Sequence, residues 1–241
     1  MAQDLTAEVD IDYKKSKLTL SDQIEVGGKI YSVVHILNKL SPMMTDDRLR
    51  RLKDVVSQRS FHVLPLLENI YDRGNISAVM RSTEAFGFLR MGIVDLPGAK
   101  FKAANRVTKG AEKWLDVLPY SSAAQSVQDL KGRGYQIWAT DLNTPNEISD
   151  IDWSQPTAIV LGNEKEGVSQ EMLSLVDGRF KIPMVGFSQS FNISVAASLI
   201  FYHAFLEIRR RELKVHLTQS EQNQVLANYY LRCFDHPEKL L

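Results

Sequence analysis

Three short stretches gather the side chains of this chain that could do chemistry. In "NISAVMR" Asn75 precedes Arg81 on one helical pattern, "LGNEKEG" holds Glu164 between Gly162 and Gly167, and "SQSFNIS" brings Ser190 and Asn192 together. The tripeptide Asn-Ile-Ser occurs at Asn75 and again at Asn192, each time where a helix should start. An asparagine there accepts hydrogen bonds from the unpaired amides of the first turn, an effect of ~1 kcal/mol. Gly74 precedes the first of these helices, and Gly87 can close it in the left-handed conformation. A helix start directly after a strand is also where an α/β protein binds its ligand, because free amides and the helix dipole face the carboxyl edge of the sheet. The stretch "LGNEKEG" is such a junction too, and its glycines permit a tight turn and close backbone approach to a ligand.

Several common chemistries are excluded. There is no Gly-Lys-Ser/Thr ending for a phosphate-binding loop and no G-x-G-x-x-G after the first strand. "GFSQS" lacks the last glycine of a hydrolase elbow. His35, His62, His203, His216 and His236 show no metal spacing, and the single Cys233 excludes an intramolecular disulfide and a cysteine-rich metal site. The start of the chain, "MAQDLTAEVDIDYKKSK", has no apolar run for a signal peptide, and no stretch approaches the roughly 18 apolar residues of a membrane span. A reduced, cytoplasmic protein without a membrane partner is expected, so both Asn-Ile-Ser sequons are coincidental as glycosylation signals.

The elements that must position these residues follow from apolar patterning. With 44% hydrophobic residues, the 241-residue chain can build a substantial core. Strands are expected near "HVLPLLE", "RMGIVDL", "LDVLPY", "YQIWATDL", "TAIVLG" and "RFKIPM". Helices fall between them at Ile76 to Phe86, around Lys102 to Lys109, at Ala123 to Lys131 and at Gln170 to Val176, and a long one runs from Ile193 into "RRRELK". Apolar strand runs alternating with helices mean an α/β fold, a mostly parallel sheet with helices on both faces. Ahead of it Thr45 caps an amphipathic basic helix to about Val56, and residues 1 to about 40 are mixed. Behind it Thr218 and Glu221 have capping-box spacing and start a helix on which Leu226, Tyr229 and Tyr230 seek an apolar surface.

Basic and acidic residues balance at 29 each, so a polyanion must be held by local clusters. Arg48, Arg50, Arg51, Lys53 and Arg59 form one such island, Lys100, Lys102, Arg106, Lys109 and Lys113 a second, and Arg209, Arg210, Arg211 and Lys214 a third. Each is also readable as a solvated face.

Taken together, "NISAVMRSTEAFGF", "IVLGNEKEGVS" and "IPMVGFSQSFNISVAASL" resemble motifs one, two and three of the SPOUT class of S-adenosyl-L-methionine-dependent methyltransferases, in the SpoU/TrmH branch that methylates ribose 2′-hydroxyls in RNA. The resemblance spans roughly Thr45 to Tyr230. It implies a C-terminal deep trefoil knot in the α/β sheet, helical N- and C-terminal extensions, and a homodimer whose active site combines motif one with knot residues of the partner. It divides the chain into an RNA-binding extension over 1–59, a methyltransferase domain over 60–212 and a helical extension over 213–241. The basic helix, "TKGAEKWLDV" and the tail are most similar to branch members that modify guanosine 18 in the tRNA D-loop.

By the same resemblance Arg81 activates the ribose hydroxyl, Asn75 fixes the arginine helix, Glu164 orients arginine or substrate, and Ser190 and Asn192 position the substrate. A guanidinium with a pKa above ~12 is rarely a base, so an arginine held by a phosphate and orienting the hydroxyl is the alternative. Thr140, Leu161, Gly162, Ile182 and Phe191 match the cofactor positions, Phe191 standing where the family often has leucine. Arg48, Arg51 and Arg59 match basic positions of the RNA-binding helix, whose phosphate contacts give affinity and register without sequence information. The same chemistry on ribosomal RNA or another tRNA position, a non-catalytic RNA-binding protein and a small-molecule binder are the other readings.

Overall fold

Strand runs that are apolar at every position belong in the middle of a sheet covered on both sides, and that is where they lie. The computed structural model describes residues 18–94 and 110–241. The expected helix at Lys102 to Lys109, the basic residues Lys100, Lys102, Arg106 and Lys109, and the first 17 residues lie outside the described part. The chain divides into two units, Phe61–Lys214 in one and Lys17–Ser60 with Val215–Leu241 in the other, so the two extensions share a unit.

The second unit begins with a hairpin of β1 (Gln23–Val26) and β2 (Lys29–Ser32), followed by α1 (Val33–Leu40) and α2 (Asp46–Ser57). Ser32 caps α1 by accepting from the His35 amide at 3.1 Å, and Thr45 caps α2 by accepting from Arg48. The unit closes with α7 (Gln219–Leu231), where Thr218 and Glu221 form the expected capping box. α1 and α2 both pack on α7, and Leu226, Tyr229 and Tyr230 are buried there. Asn228 clamps Thr19 from both sides, accepting from its amide and donating to its carbonyl at 3.0 Å each.

Arg48, Arg50, Arg51 and Lys53 are exposed on α2, whereas Arg59 is 1% exposed. α2 ends at Ser57, and the next residues pair with the returning chain: the Arg59 carbonyl accepts from the Leu217 amide and Ser60 bridges to His216. Arg59 therefore belongs to a buried pairing segment and drops out of the solvent-facing basic set.

The first unit holds a six-stranded parallel sheet of β3 (Val63–Glu68), β4 (Arg90–Val94), β5 (Asp116–Tyr120), β6 (Gln136–Thr140), β7 (Thr157–Leu161) and β8 (Gly178–Phe180), in the order β5-β4-β3-β7-β6-β8. β3, β4 and β7 are buried throughout. The β3–β7 register runs from Val63 opposite Thr157 to Leu67 opposite Leu161. β8 stops at Phe180, short of the expected Met184, because the segment toward Pro183 leaves the sheet.

Leu64, Leu66, Ile137, Ala139, Ala158 and Val160 pack against α4 (Ala123–Gly132) and α5 (Gln170–Leu175). Side chains alternate across a strand, so Val63 and Leu67, equally buried, face the opposite layer. There α3 (Arg73–Ala85) packs on α6 (Ile193–Arg210), and α6 reaches β3. Within α6's basic end Arg210 and Arg211 are tied to Glu207 at 2.7 and 3.0 Å. Among the described residues no helix is long and apolar enough to cross a membrane.

Candidate active site

The two Asn-Ile-Ser helices start differently. Asn192 caps α6 as expected, its Oδ1 accepting from the Ser194 amide at 2.9 Å and the Ser194 hydroxyl at 2.6 Å. α3 begins three residues earlier than expected, because Asp72 takes the cap and accepts from the Gly74 amide at 2.7 Å. Gly87 ends this helix in the left-handed conformation, as expected. Asn75 thus lies inside the first turn with its side-chain amide free to bond sideways.

It does so in both directions. The Asn75 Nδ2 donates to Glu164 Oε1 at 2.5 Å, and the Asn75 Oδ1 accepts from Asn192 Nδ2 at 3.1 Å. Every amide in this relay is used according to its chemistry: Asn192 accepts at its oxygen from the helix it caps and donates from its nitrogen to Asn75, which donates onward to the carboxylate. Three strand-to-helix junctions are joined side chain to side chain.

Glu164 sits on a loop shaped by contacts that tolerate little change. The Asn163 amide donates to the Gly167 carbonyl at 3.0 Å and the Gly167 amide returns a bond to the Asn163 carbonyl at 2.9 Å. Buried Asn163 also accepts from the Lys165 amide at 2.8 Å and donates to the Asn69 carbonyl at 3.0 Å, which fastens this loop to the one after β3. A side chain at Gly162 would place its Cβ 2.2 Å from the Gly167 carbonyl carbon, so only glycine lets the two strands of the loop approach. Behind the loop the buried Glu68 accepts from the Ser169 amide at 2.9 Å and its hydroxyl at 2.7 Å, fixing the residue that caps α5.

Against this loop lies a cavity of about 390 Å³. Thr140, Leu161, Gly162, Ile182 and Phe191 all line it, together with Glu164 and Ser190. Its volume is in the range of small-molecule sites, and its wall mixes apolar side chains with backbone at strand ends, which suits a nucleoside. Asp141, Lys181 and Gln189 line it as well and were missed by sequence reasoning. Glu68 and Asp72 were missed too; the only signals for them are a carboxylate closing an apolar strand and an aspartate two residues before Gly74.

Arg81 stands apart. It is exposed, is not part of the cavity wall, and its side chain forms no ion pair or hydrogen bond among the described residues. Its place on α3 is about 120° around the helix from Asn75 and about 9 Å along it, since each residue advances the helix by 1.5 Å and a 3.6-residue turn. Within one chain, Asn75, Glu164 and Asn192 therefore meet, Glu164 and Ser190 share the cavity with the five cofactor candidates, and Arg81 serves a different direction.

Buried His62 and half-buried His203 lie elsewhere. His62 donates from Nε2 to the Trp153 carbonyl at 2.8 Å, and burial lowers its pKa against the smaller opposing effect of that bond. His203 is shifted in the same direction, chiefly by burial.

Comparison with known proteins gives one consistent result. Residues 62–202 match the SpoU rRNA Methylase family. The tRNA (guanosine(18)-2′-O)-methyltransferase of Thermus thermophilus is 36% identical over 174 residues, 72% of this chain and 87% of the relative. The crystal structure of the TrmH/SpoU tRNA modifying enzyme of A. aeolicus superposes with a TM-score of 0.71 at 31% identity, covering 77% of this chain and 95% of that one. The SpoU methyltransferase AviRb from Streptomyces viridochromogenes, solved in complex with its cofactor AdoMet, gives a TM-score of 0.57 at 26% identity over 66% of this chain and 64% of that one.

Proposed function

The chain belongs to the SpoU rRNA Methylase family, and from that premise we propose that it transfers the methyl group of S-adenosyl-L-methionine to a ribose 2′-hydroxyl of tRNA, at guanosine 18 of the D-loop. The observation that carries this reading is the Glu164–Asn75–Asn192 relay set against a cavity lined by all five cofactor candidates.

The cofactor supplies a methyl group on a positively charged sulfonium, so the departing group is already activated and the protein's tasks are alignment and proton handling. Leu161, Ile182 and Phe191 would hold the apolar part of the cofactor, and Thr140 and Gly162 would offer it backbone polar groups. Ser190 positions the ribose. Glu164, held in place by the Asn75 amide, orients the polar groups of the acceptor, and Asn192 keeps Asn75 in the orientation that donates to the carboxylate.

Arg81 is too basic to remove a proton; held by a phosphate of the RNA, its guanidinium orients the hydroxyl and stabilises charge beside it. Since it does not line its own chain's cavity, we assign it to the site of a second copy. A homodimer has a ready surface on α6, where Val195, Leu199, Tyr202 and Leu206 recur at helical spacing and remain 41–52% exposed. We further read the passage from the edge strand β8 to α6, which packs beside α3 next to central strand β3, as the threaded part of a trefoil knot. Arg48 and Arg51 on α2 supply phosphate contacts to the tRNA, and the reaction belongs in the cytoplasm.

The test is methyl transfer from labelled S-adenosylmethionine to unmodified total tRNA and to ribosomal RNA, with the product mapped by nucleoside mass spectrometry. A 2′-O-methylguanosine at position 18 of tRNA is expected. Transfer to ribosomal RNA alone overturns the substrate, and absence of transfer to either RNA overturns the activity.

A further inference from the structure

We propose that Tyr71 and Arg73, at the head of the helix carrying Asn75 and Arg81, form a seat for an unpaired nucleotide of the RNA, with the phenol ring stacking on a base and the guanidinium taking a neighbouring phosphate. The inference rests on the methyltransferase reading above and adds two residues to it.

Tyr71 is 68% exposed, and the backbone on either side of it is fastened. Asn69 holds a positive φ of 54°, donates its amide to the Val94 carbonyl at 3.2 Å and accepts from Asn163 at 3.0 Å. On the other side Asp72 is committed to the α3 cap. A large ring is thus presented to solvent by a segment pinned at both ends, one of them bonded to the loop that carries Glu164. Exposed aromatic rings on fixed backbone are the platform on which proteins stack unpaired bases, and they tolerate any base because every base has a π-face.

Arg73 supplies the second half. It is exposed at the first position of α3, where the helix dipole disfavours a cation, and α3 has no acidic residue in its first turn. No ion pair holds it among the described residues. The one carboxylate beside it, Asp72, is bonded to the Gly74 amide at 2.7 Å, so an anion from outside, which the helix start itself also favours, is the match for this guanidinium. Arg81 lies about 12 Å further along the same helix.

Methyl-transfer kinetics on an unmodified tRNA transcript, cofactor binding by calorimetry and mass by light scattering test the seat in Tyr71→Ala, Tyr71→Leu, Tyr71→Phe and Arg73→Ala proteins. Tyr71→Ala and Tyr71→Leu are expected to raise the KM for tRNA about 5- to 150-fold, the range of one lost base stack. Tyr71→Phe stays near wild type because the ring remains, and Arg73→Ala flattens the salt dependence of tRNA binding by about one phosphate contact. Cofactor affinity and mass stay unchanged in all four. An unchanged KM in Tyr71→Ala, an equal loss in Tyr71→Phe, or a change of mass in Tyr71→Ala would overturn the seat, the last by assigning the ring to contact between copies. Failure of the wild-type protein to bind or methylate any RNA removes the underlying function, whereas an active wild type with an unaffected Tyr71→Ala removes the seat alone.

Discussion

Replacing Gly162 by alanine probes the loop that joins the cavity to Glu164. The new Cβ would lie 2.2 Å from the Gly167 carbonyl carbon and 2.3 Å from both the Gly167 oxygen and the Val168 nitrogen. These are backbone atoms, so no rotamer relieves the overlap, and reaching an ordinary carbon contact of ~3.5 Å requires the loop to retreat by about 1 Å. That movement pulls apart the paired Asn163–Gly167 bonds at 3.0 and 2.9 Å. Overpacking costs about 1–3 kcal/mol and each backbone hydrogen bond about 1 kcal/mol, so the substitution should destabilise the unit by roughly 3–5 kcal/mol. The expected fall in Tm is on the order of 10 °C. Because the retreating backbone is also the cavity wall, S-adenosylmethionine affinity should weaken about tenfold or more, equivalent to only ~1.4 kcal/mol of that strain. Thermal unfolding and calorimetric titration read the two effects. Gly186→Ala is the matched control, since a Cβ there meets nothing within 4 Å. A Gly162→Ala protein with wild-type Tm and wild-type cofactor affinity would show that the loop is not packed as described.

Three further outcomes are expected. Arg81→Ala should keep cofactor binding and the wild-type mass while losing transfer, because the residue is exposed and outside the cavity wall; near-normal turnover would refute its assignment. Asn192→Asp should keep the α6 cap, since a carboxylate accepts from Ser194 as well as an amide does, yet it sets an acceptor against the Asn75 oxygen at 3.1 Å. Tm should then change little while turnover drops by at least tenfold, and a proportionate loss of both would reduce Asn192 to a cap. The third concerns pH. Burial lowers the folded pKa of His62, so between its ordinary value of 6.5 and the folded value the unfolded chain takes up a proton that the folded chain does not. The contribution of neutral His62 is complete above pH 6.5 and is lost as pH falls. His62→Gln should therefore flatten the decline in stability between about pH 7.5 and 5.5, only in part because His203 shifts the same way, and parallel denaturation curves for the two proteins across that range would contradict it.

The sheet could be read from the sequence because its central strands are buried on both faces, which leaves continuous apolar runs such as "TAIVLG". The capped helices were legible for an equally local reason: Thr45, Thr218 with Glu221, and Asn192 bond amides only two or three residues away. The hairpin ahead of them was not, since a single residue of β1 is buried and none of β2, too few to impose an alternating pattern. Arg59 was misplaced because its letter reports charge, whereas its surroundings depend on pairing with Leu217, far along the chain.

Asn75 shows where local reading ends in this protein. Both Asp72 and Asn75 are competent caps, and nothing within the helix decides between them. The decision comes from partners 89 and 117 residues away, Glu164 and Asn192, which offer the Asn75 amide one acceptor and one donor at once. Aspartate in the cap releases the asparagine for that task, and an aspartate at position 75 could not have performed it, because a carboxylate has no hydrogen to give Glu164. The same tripeptide therefore serves two ends: at Asn192 one amide both caps a helix and reaches sideways, while at Asn75 the capping is delegated and the whole side chain is spent on holding the carboxylate of the site.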